Sequence, residues 1–446
     1  MATIYGREVK EFTVKEEWDT DWVSKALMDV QSLKKGDSEY TIVLDNTRFR
    51  YDEYGIDFSE KQVVAWGSYR SLQTCVAKLN AMLWSDDDLT EKDNVRGTIP
   101  LPTQPIHDKE ELRRVMDDLM GRDEFLYGQH LCGSLRLDHL LSAYKTAVGN
   151  EPSIIDFDLV GLRSAHRGEL CRGEWSRAIC HLIEYASRGG IITTMHHWLN
   201  PLNPIDDSTW GVVGNVENWN KILTRGTEEN AVWHRDLDLA AEVFQVLKDA
   251  GVTYMYRPMF EANAGWFWYG MQEGICEDDL IRMWRYLYNY YVNELGLDHM
   301  LWVYAPNFTD LKVEEKGSSP YPVTCYYPGD EYCDIVGCDW YTGGDYEIES
   351  YIYEGNSYDR LAELGKPVCL AEWGNDGNGK AKHLAGKEFV EVFERMRQEG
   401  KRLTHIAVYG GAFGAPYTVG GGEALHDYPY ILKLEDMPAY LKSVLG

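Results

Sequence analysis

The sequence lacks the features that mark several protein classes. Basic residues are in deficit, with 44 lysines and arginines against 72 aspartates and glutamates and a net charge of −28. This balance argues against binding to the phosphates of nucleic acid or to an anionic membrane surface. The chain also has no apolar run of the length that a bilayer requires, and no basic segment followed by an apolar one at its start. We therefore expect a soluble protein with neither a nucleic-acid nor a membrane partner.

Cysteine is sparse and irregularly placed. The nine cysteines are odd in number, scattered along the chain and never spaced Cys-x2-Cys. Neither a disulfide framework nor a zinc site is indicated by such a pattern. We expect most of them to be buried thiols.

Aromatic residues, in contrast, are plentiful. The chain has 446 residues, of which 44% are hydrophobic and 13% aromatic, with 15 tryptophans and 30 tyrosines. A chain of this size can bury one large core and a smaller one. Flat rings with a polar edge stack on the faces of sugars, but they also fill protein cores. Composition by itself favours the core and is compatible with a neutral carbohydrate ligand.

A proline-rich segment divides the chain. Three prolines fall within six residues of Ile99-Pro-Leu-Pro-Thr-Gln-Pro105, a composition that resists helix and sheet and acts as a stiff spacer. We predict an N-terminal accessory domain at 1–98, a linker at 99–107 and a catalytic domain at 108–446. The accessory domain has no assigned chemistry, and four tryptophans in it fit either a carbohydrate surface or a core: Trp18, Trp22, Trp66 and Trp84.

After the linker, short apolar runs alternate with amphipathic stretches of helical period. This alternation predicts parallel strands joined by helices, and eight repeats suit a closed (β/α)8 barrel. A doubly wound sheet is the alternative, but it usually has a glycine-rich phosphate turn after its first strand, and this chain does not. The predicted strands are 125–127, 153–160, 190–195, 252–256, 300–304, 334–336, 367–371 and 404–409.

Two glutamates follow the fourth and seventh predicted strands. Catalytic groups of barrels gather at the carboxyl ends of the strands, and Glu261 and Glu372 both lie there within aromatic clusters. Glycosidic cleavage needs one carboxylic acid and one carboxylate, about 5 to 5.5 Å apart when configuration is retained. Strands four and seven face each other across a barrel, which fits that separation. One glutamate alone would be an ordinary carboxylate, but the matched pair predicts a retaining glycoside hydrolase.

Around these glutamates the sequence resembles glycoside hydrolase family 26, whose best-known members are endo-β-1,4-mannanases. The segment Arg257-Pro-Met-Phe-Glu261 is similar to the Arg-Pro-x-His-Glu signature of the family, and Lys366-Pro-Val-Cys-Leu-Ala-Glu-Trp-Gly374 is similar to its nucleophile strand. The resemblance covers about residues 120 to 415, by matching strand ends. It implies that Glu261 is the acid/base and that Glu372 is the nucleophile.

The resemblance implies further residues around the cleaved bond. Tyr341 is expected to hydrogen-bond to the nucleophile and so orient it, and His197 is expected near the attacked sugar. For Trp302, a place in the core of strand five fits the residue type equally well. The expected substrate-binding residues are His197, Asn200, Phe260, Trp266, Trp268 and Trp302.

The adjacent histidines His196 and His197 would also fit a metal site. Neighbouring residues of a strand end point to opposite sides, however, and no third ligand accompanies them at metal-site spacing. Two carboxylates are sufficient for the hydrolysis. We therefore expect no metal and no organic cofactor.

One residue departs from the family signature. Phe260 stands where the mannanases have a histidine beside the acid/base, which keeps two alternatives open: the same mechanism on β-1,3-1,4-glucan or β-1,3-xylan, and a non-catalytic carbohydrate-binding barrel. A phosphate-binding barrel enzyme would need a glycine-rich anion site where this chain has aromatics. We predict a retaining endo-β-1,4-mannanase that acts on mannan, galactomannan or glucomannan. It is expected to be a monomer outside the cell, a location inferred from the polymeric substrate, with the cytoplasm as the alternative.

Overall fold

The described part of the chain forms two compact units. The first contains the described residues within Met1–Thr103, His166–Glu184 and Glu242–Ala250, and the second contains those within Gln104–Ala165, Tyr185–Ala241 and Gly251–Gly446. The junction after Thr103 lies within the predicted linker, and the predicted domain limits remain a prediction. The computed structural model describes residues 2–4, 7–14, 40–59, 62–84, 93–131, 137–160, 172–203, 211–308, 321–342, 357–375, 386–409 and 427–446.

A mixed sheet of six strands builds the first unit, in the order β1-β2-β3-β5-β4-β6. Strand β3 pairs in parallel with β2 and β5, and the other pairings are antiparallel. The elements are β1 (Ala2–Ile4), β2 (Arg7–Val14), β3 (Tyr40–Asp45), β4 (Glu53–Phe58), β5 (Gln62–Gly67), α1 (Ser71–Trp84) and β6 (Val95–Thr98).

The core of this unit lies between the sheet and α1. Val63 and Ala65 of β5 are buried on one face of the sheet, two residues apart as the period of a strand requires. They belong to one apolar cluster with Leu72 and Leu79 of α1. Such burial of alternate residues explains why this short helix and sheet hold together.

Of the four tryptophans in the predicted accessory domain, Trp66 has a described side chain. The indole of Trp66 donates a hydrogen bond to Asp57 over 2.9 Å, and the guanidinium groups of Arg48 and Arg96 each lie 5.1 Å from its ring. The ring is half-buried with these contacts, and a carbohydrate surface at Trp66 stays a prediction. Trp18, Trp22 and the side chain of Trp84 lie outside the described residues.

Eight parallel strands close into a barrel in the second part of the fold, in agreement with the predicted (β/α)8 architecture. They follow chain order from β7 to β14, and β14 pairs with β7 to complete the ring, while β15 adds to β7. The strands are β7 (Phe125–His130), β8 (Ile154–Asp158), β9 (Ile191–Met195), β10 (Tyr254–Arg257), β11 (Met300–Tyr304), β12 (Ile335–Thr342), β13 (Val368–Asn375), β14 (His405–Val408) and β15 (Ile431–Leu432).

Helices alternate with these strands. The first, α2, begins where the side chain of Asp108 accepts a hydrogen bond from the backbone of Glu111, as an N-cap does. The helices are α2 (Lys109–Met120), α3 (Leu137–Val148), α4 (Arg172–Ser187), α5 (Val216–Leu223), α6 (Glu228–Asp249), α7 (Glu277–Tyr288), α8 (Ser357–Ala362), α9 (Gly386–Gln398) and α10 (Met437–Leu445). A π-helical turn, Asn289–Glu294, and two 3-10 turns, Asp330–Tyr332 and Leu434–Asp436, complete the described helical structure.

All eight predicted barrel strands are confirmed, β11 with the predicted limits and the other seven with shifted ones. The largest differences are in β12 and β13, which both continue to the carboxyl end beyond the apolar runs that predicted them. Tyr341 and Glu372 therefore lie within strands rather than after them. In the described ranges no helix is both long and apolar enough to cross a membrane.

The described cysteines carry free thiols. Five of them are buried, as expected for most cysteines of this chain, while Cys276 is exposed and Cys325 half-buried. Cys132 and Cys171 lie outside the described residues. Burial raises the pKa of the Cys75 thiol to about 12, so this group is an inert apolar side chain at neutral pH.

Candidate active site

Glu261 and Glu372 lie at the same end of the barrel. Glu372 belongs to β13, and Glu261 follows β10 by four residues. Outside glycine, Glu261 is the one residue of the described ranges with a positive φ, 52°. Its backbone N–H donates to the carbonyl oxygen of Ala305 over 2.8 Å, which holds the loop against the end of β11. A left-handed backbone at a large side chain is a strained conformation of the kind that concentrates at functional sites.

The Glu261 carboxyl group is buried and receives two hydrogen bonds. The indole Nε1 of Trp266 donates to Oε2 over 2.8 Å, and the amide Nδ2 of Asn307 donates to Oε1 over 3.1 Å. Asn307 is itself fixed, because its backbone N–H donates to Asn263 and its carbonyl accepts from the Asn263 side chain, both over 2.8 Å. Asn307 thus orients the Glu261 carboxyl group, and Asn263 holds Asn307 in place.

The protonation of Glu261 suits a general acid. Burial and then the negative charge of Glu372 raise the pKa of Glu261 to about 7, against the smaller opposing effect of its two donors and of His197. The group therefore keeps its proton up to about neutral pH. A general acid needs a pKa close to the working pH.

Glu372 lies beside a buried cation. Its Oε1 accepts from Nη2 of Arg257 over 2.9 Å, and both side chains are almost fully buried, with relative exposures of 3% and 1%. Arg257 keeps its charge at all working pH values. A fixed positive charge at this distance stabilises the ionised carboxylate that a nucleophile must be.

Two further carboxylates share the same guanidinium. Nη2 of Arg257 donates to Oδ2 of Asp156 over 2.6 Å, and Nη1 donates to Oδ1 of Asp339 over 3.2 Å. Burial and the charge of Glu372 hold the pKa of Asp339 well above its ordinary value, and burial also raises the pKa of Asp156 despite the opposing charge of Arg257. Arg257 therefore joins Asp156 and Asp339 to Glu372 in one buried network.

His197 is paired with an aspartate. Its Nδ1 and the Oδ2 of Asp158 are 2.6 Å apart, and its backbone N–H donates to Oδ1 of the same carboxylate over 3.3 Å. The ring contacts Phe260 and Phe267 edge to face, with centroids 4.7 and 5.4 Å away. Burial lowers the pKa of His197, but the combined effect of Asp158, Glu372 and Glu261 is larger, so the pKa lies above its ordinary value.

Its neighbour His196 has a different environment. The ring of His196 is buried and stacks on Trp198 with centroids 3.7 Å apart. Burial lowers its pKa to about 3, so the imidazole is neutral at working pH. The two histidines therefore occupy separate environments, in keeping with the expectation that adjacent strand residues face opposite sides.

Two tryptophans expected to bind substrate lie in the core instead. The Trp268 indole donates to the carbonyl of Trp198 over 2.7 Å, and its ring is fully buried. Trp302 is also buried, and its ring contacts Tyr288 of α7, with centroids 5.0 Å apart. The structure does not bring either ring to the glutamate pair, because each is enclosed by aromatic side chains.

The other expected substrate-binding residues differ in their contacts, and one expected catalytic residue, Tyr341, has a side chain outside the described residues. Trp266 touches Glu261 directly, and its ring is half-buried. Phe260 is buried, with the Arg257 guanidinium 5.5 Å from its ring. Asn200 is buried, and its Oδ1 accepts from the backbone of Leu202 over 3.0 Å.

Sequence reasoning did not assign a role to five polar residues of this site. A signal existed for two of them: Asp156 and Asp158 stand two apart in an otherwise apolar strand, which places both on one face. Such buried charges in a strand core need partners and mark a functional or structural network. The five residues are Asp156, Asp158, Arg257, Asn307 and Asp339.

The chain is similar to proteins of known activity. The family model described as glycosyl hydrolase family 26 matches residues 105–389. A mannan endo-1,4-beta-mannosidase of Bacillus subtilis is 28% identical over 277 residues, covering 59% of this chain and 68% of that protein. Mannan endo-1,4-beta-mannosidase A and B of Caldalkalibacillus mannanilyticus is 30% identical over 236 residues, covering 51% of this chain and 41% of that protein. In the second case this chain spans less than half of the relative's length.

Solved structures show the same barrel. The YdhT protein of Bacillus subtilis superposes with a TM-score of 0.60 at 23% identity, covering 75% of this chain and 95% of that chain. The Bacillus subtilis mannanase BCman gives 0.59 at 24% identity, with coverages of 75% and 95%. These superpositions show a shared fold, and at 23% and 24% identity the likeness shows the fold alone.

Proposed function

Since the protein belongs to glycosyl hydrolase family 26, we propose that it is a retaining, endo-acting hydrolase of β-1,4-mannan. One observation carries this proposal: a protonated Glu261 and an Arg257-paired Glu372 meet at the carboxyl end of one barrel. Two carboxyl groups in unequal environments are what a double displacement needs. The mannan preference rests on the relatives, whose names describe them as mannan endo-1,4-beta-mannosidases.

In the first step, Glu372 attacks the anomeric carbon while Glu261 protonates the departing oxygen. The carbon–oxygen bond of the linkage breaks, a new ester bond forms to Glu372, and the aglycone leaves as an alcohol. The electron pair of the broken bond goes to the departing oxygen, which takes the proton of Glu261, so the negative charge ends on Glu261. Glu372 becomes a neutral ester, and its ion pair with Nη2 of Arg257 is lost. The strained backbone and the two donors keep Glu261 aimed at the oxygen that it protonates.

In the second step, the same Glu261 acts as a base. Once Glu372 is esterified it no longer has a negative charge, so the repulsion that raised the pKa of Glu261 is removed. The ionised Glu261 takes a proton from water, the water oxygen attacks the anomeric carbon, and the ester bond to Glu372 breaks. The two steps together retain the configuration of the sugar.

The location of the protein is also part of the proposal, and it follows from the polymeric substrate. Mannan, galactomannan and glucomannan are too large to enter a cell intact, which favours an enzyme that acts outside it. A monomeric state is part of the same proposal. The site needs no cofactor for the two steps above. These features stay proposals together with the substrate.

The test is product release from a panel of polysaccharides by the wild type and by Glu261→Ala and Glu372→Ala. We expect the wild type to release oligosaccharides from the mannans, and both variants to lose at least about 10³-fold in kcat/KM, since each removes a group that acts in the transition state. Glu294→Ala is a matched control, because Glu294 is half-exposed and pairs with Arg225 at the surface.

Each outcome decides a different part of the proposal. Activity confined to β-1,3-1,4-glucan or β-1,3-xylan keeps the mechanism and overturns the substrate. Undiminished activity in the Glu372 variant overturns the assignment of the nucleophile. Binding of mannan without turnover by the wild type leaves a carbohydrate-binding barrel.

A further inference from the structure

Asp158 is a buried carboxylate that has no part in the steps described so far. It ends β8, and in the barrel it lies beside Met195, the last residue of β9. Its hydrogen-bond partners among the described residues are donors: His197 Nδ1 at 2.6 Å, the His197 backbone at 3.3 Å and the Val160 backbone at 2.9 Å. An ionised carboxylate only accepts hydrogen bonds, so His197 has its Nδ1 proton directed at Asp158.

This contact leaves the other ring nitrogen available. Nε2 of His197 makes no hydrogen bond within the described residues, and the His197 side chain is 17% exposed. Phe260 and Phe267 hold the ring by edge-to-face contacts, so it cannot turn without breaking the short bond to Asp158. Because Nδ1 directs its proton at Asp158, Nε2 is an N–H donor to a ligand when the ring is protonated.

The charged groups around His197 are the catalytic ones. Asp158, Glu372 and Glu261 act on its charge, and His196 lies on the neighbouring position. Phe260, in contrast, offers no hydrogen bond beside Glu261. Arg257, the other cation beside the pair, already donates to Asp156, Asp339 and Glu372. His197 differs from it, because its Nε2 makes no hydrogen bond to a described residue.

We propose that Asp158 is a positioning residue of the hydrolysis, which holds His197 as a cation with its Nε2–H directed to a hydroxyl group of the sugar attacked by Glu372. This rests on the proposed function, since the ligand is the mannosyl unit at the cleavage site. The cation has a second effect, because it opposes the rise in the pKa of Glu261. Asp158 therefore influences the acid/base group through His197.

A purely structural role for Asp158 would have a different signature. The carboxylate accepts two backbone hydrogen bonds, and these would hold the loop after β8 whatever the charge of His197. Both backbone bonds go to Oδ1 of Asp158, and Asp158→Asn preserves that oxygen acceptor. The variant removes the charge and puts an amide N–H donor in place of Oδ2, opposite His197 Nδ1. The variant thus separates loop support from the control of His197.

The first experiment is an NMR titration of the histidine ring protons in the wild type, in Asp158→Asn and in the control Asp118→Asn. Asp118 pairs with Arg122 on the surface of α2, far along the chain from the site. We expect His197 to titrate above about 6.5 in the wild type and in the control, and about 1 to 3 pH units lower in Asp158→Asn. A His197 titration that is equal in all three proteins would overturn the proposal.

The second experiment measures kcat/KM against pH on a soluble mannan. Asp158→Asn should lose activity on the order of tenfold, as expected when the partner that orients an imidazole is removed. Its alkaline limb should move to higher pH, because the cation that lowers the pKa of Glu261 is lost. A tenfold loss with an unmoved alkaline limb would indicate loop support alone and contradict the proposal.

A double-mutant cycle with His197→Gln tests whether Asp158 acts on kcat/KM through His197. If Asp158 acts through His197, then Asp158→Asn should change kcat/KM by less than about twofold in the His197→Gln background. Independent effects of the two changes would overturn the proposal. Absence of mannan hydrolysis by the wild type would instead overturn the proposed function, and the NMR titration, which uses no substrate, would still report on the Asp158–His197 pair.

Discussion

The indole Nε1 of Trp266 donates a hydrogen bond to Oε2 of Glu261 over 2.8 Å. A donor at this position favours the ionised carboxylate, and it opposes the effects of burial and of Glu372 that raise the pKa of Glu261. The same ring is half-buried and forms part of the wall beside the acid/base. We therefore expect Trp266 to influence the protonation of Glu261, and its proposed contact with substrate stays a prediction.

Replacement of Trp266 by Phe should move the alkaline limb of the kcat/KM profile upward. The ring volume is largely preserved, but the donor to Glu261 is lost, so the pKa of Glu261 should rise by about 1 unit. The measurement is kcat/KM between pH 5 and pH 9 on a soluble mannan. Trp302→Phe is the matched control, because Trp302 is enclosed against α7: it should destabilise the protein by about 1 to 3 kcal/mol and leave the limb in place. An equal shift in both variants would contradict the role of Trp266.

Glu261→Gln should stabilise the fold increasingly as pH rises from about 4.5 to 7. In the folded protein the pKa of Glu261 is about 7, and in the unfolded chain it is about 4.3. Between these values the folded state binds more protons than the unfolded state, so this group lowers the free energy of unfolding as pH rises through the window, and its effect is constant above it. Glutamine does not titrate, and it should gain up to about 3 kcal/mol relative to the wild type across the window.

The check is the difference in free energy of unfolding between Glu261→Gln and the wild type, from urea melts at pH 4.5, 6 and 8. If glutamine loses the hydrogen bond from Trp266 or Asn307, the free energy of unfolding falls by the same amount at every pH. A difference that does not change with pH would show that Glu261 ionises normally in the folded protein.

Arg257→Leu should destabilise the protein strongly at neutral pH. The guanidinium holds three buried carboxylates, those of Asp156, Asp339 and Glu372. Removing one partner of a buried ion network leaves uncompensated charge and costs about 3 to 5 kcal/mol. Arg122→Leu removes a surface pair with Asp118 and should cost no more than about 1 kcal/mol. Thermal and urea unfolding compare the two, and equal losses would mean that the network contributes no more than a surface pair.

The fold was predictable because its strands are buried on both faces. Parallel barrel strands appear in the sequence as short apolar runs, and the helices between them keep a separate period. The carboxyl ends of β12 and β13 were harder to predict from the sequence. Asp339 and Glu372 lie within these strands, and an acidic residue interrupts the apolar pattern that marks a buried strand. Only their partners in space make these charges acceptable there.

The site was predictable where spacing places a residue at a strand end, as for Glu261. It was not predictable where the role depends on partners from distant strands: Asp156 meets Arg257 across 101 positions of sequence. The same limit explains Trp268 and Trp302. In a strand or loop with apolar neighbours on every side, no polar face indicates which side of the chain a tryptophan occupies.

The central claim, that Glu372 is the nucleophile of a retaining mannanase, is tested most directly by trapping the intermediate. A 2-deoxy-2-fluoro-β-mannobioside with an activated leaving group should esterify the enzyme, because the fluorine slows both steps and the leaving group restores the first. Peptide mass mapping should then find the added disaccharide on the peptide that contains Glu372, and Glu372→Ala should remain unlabelled. A label on another residue, or equal labelling of the Glu372→Ala variant, would contradict the account.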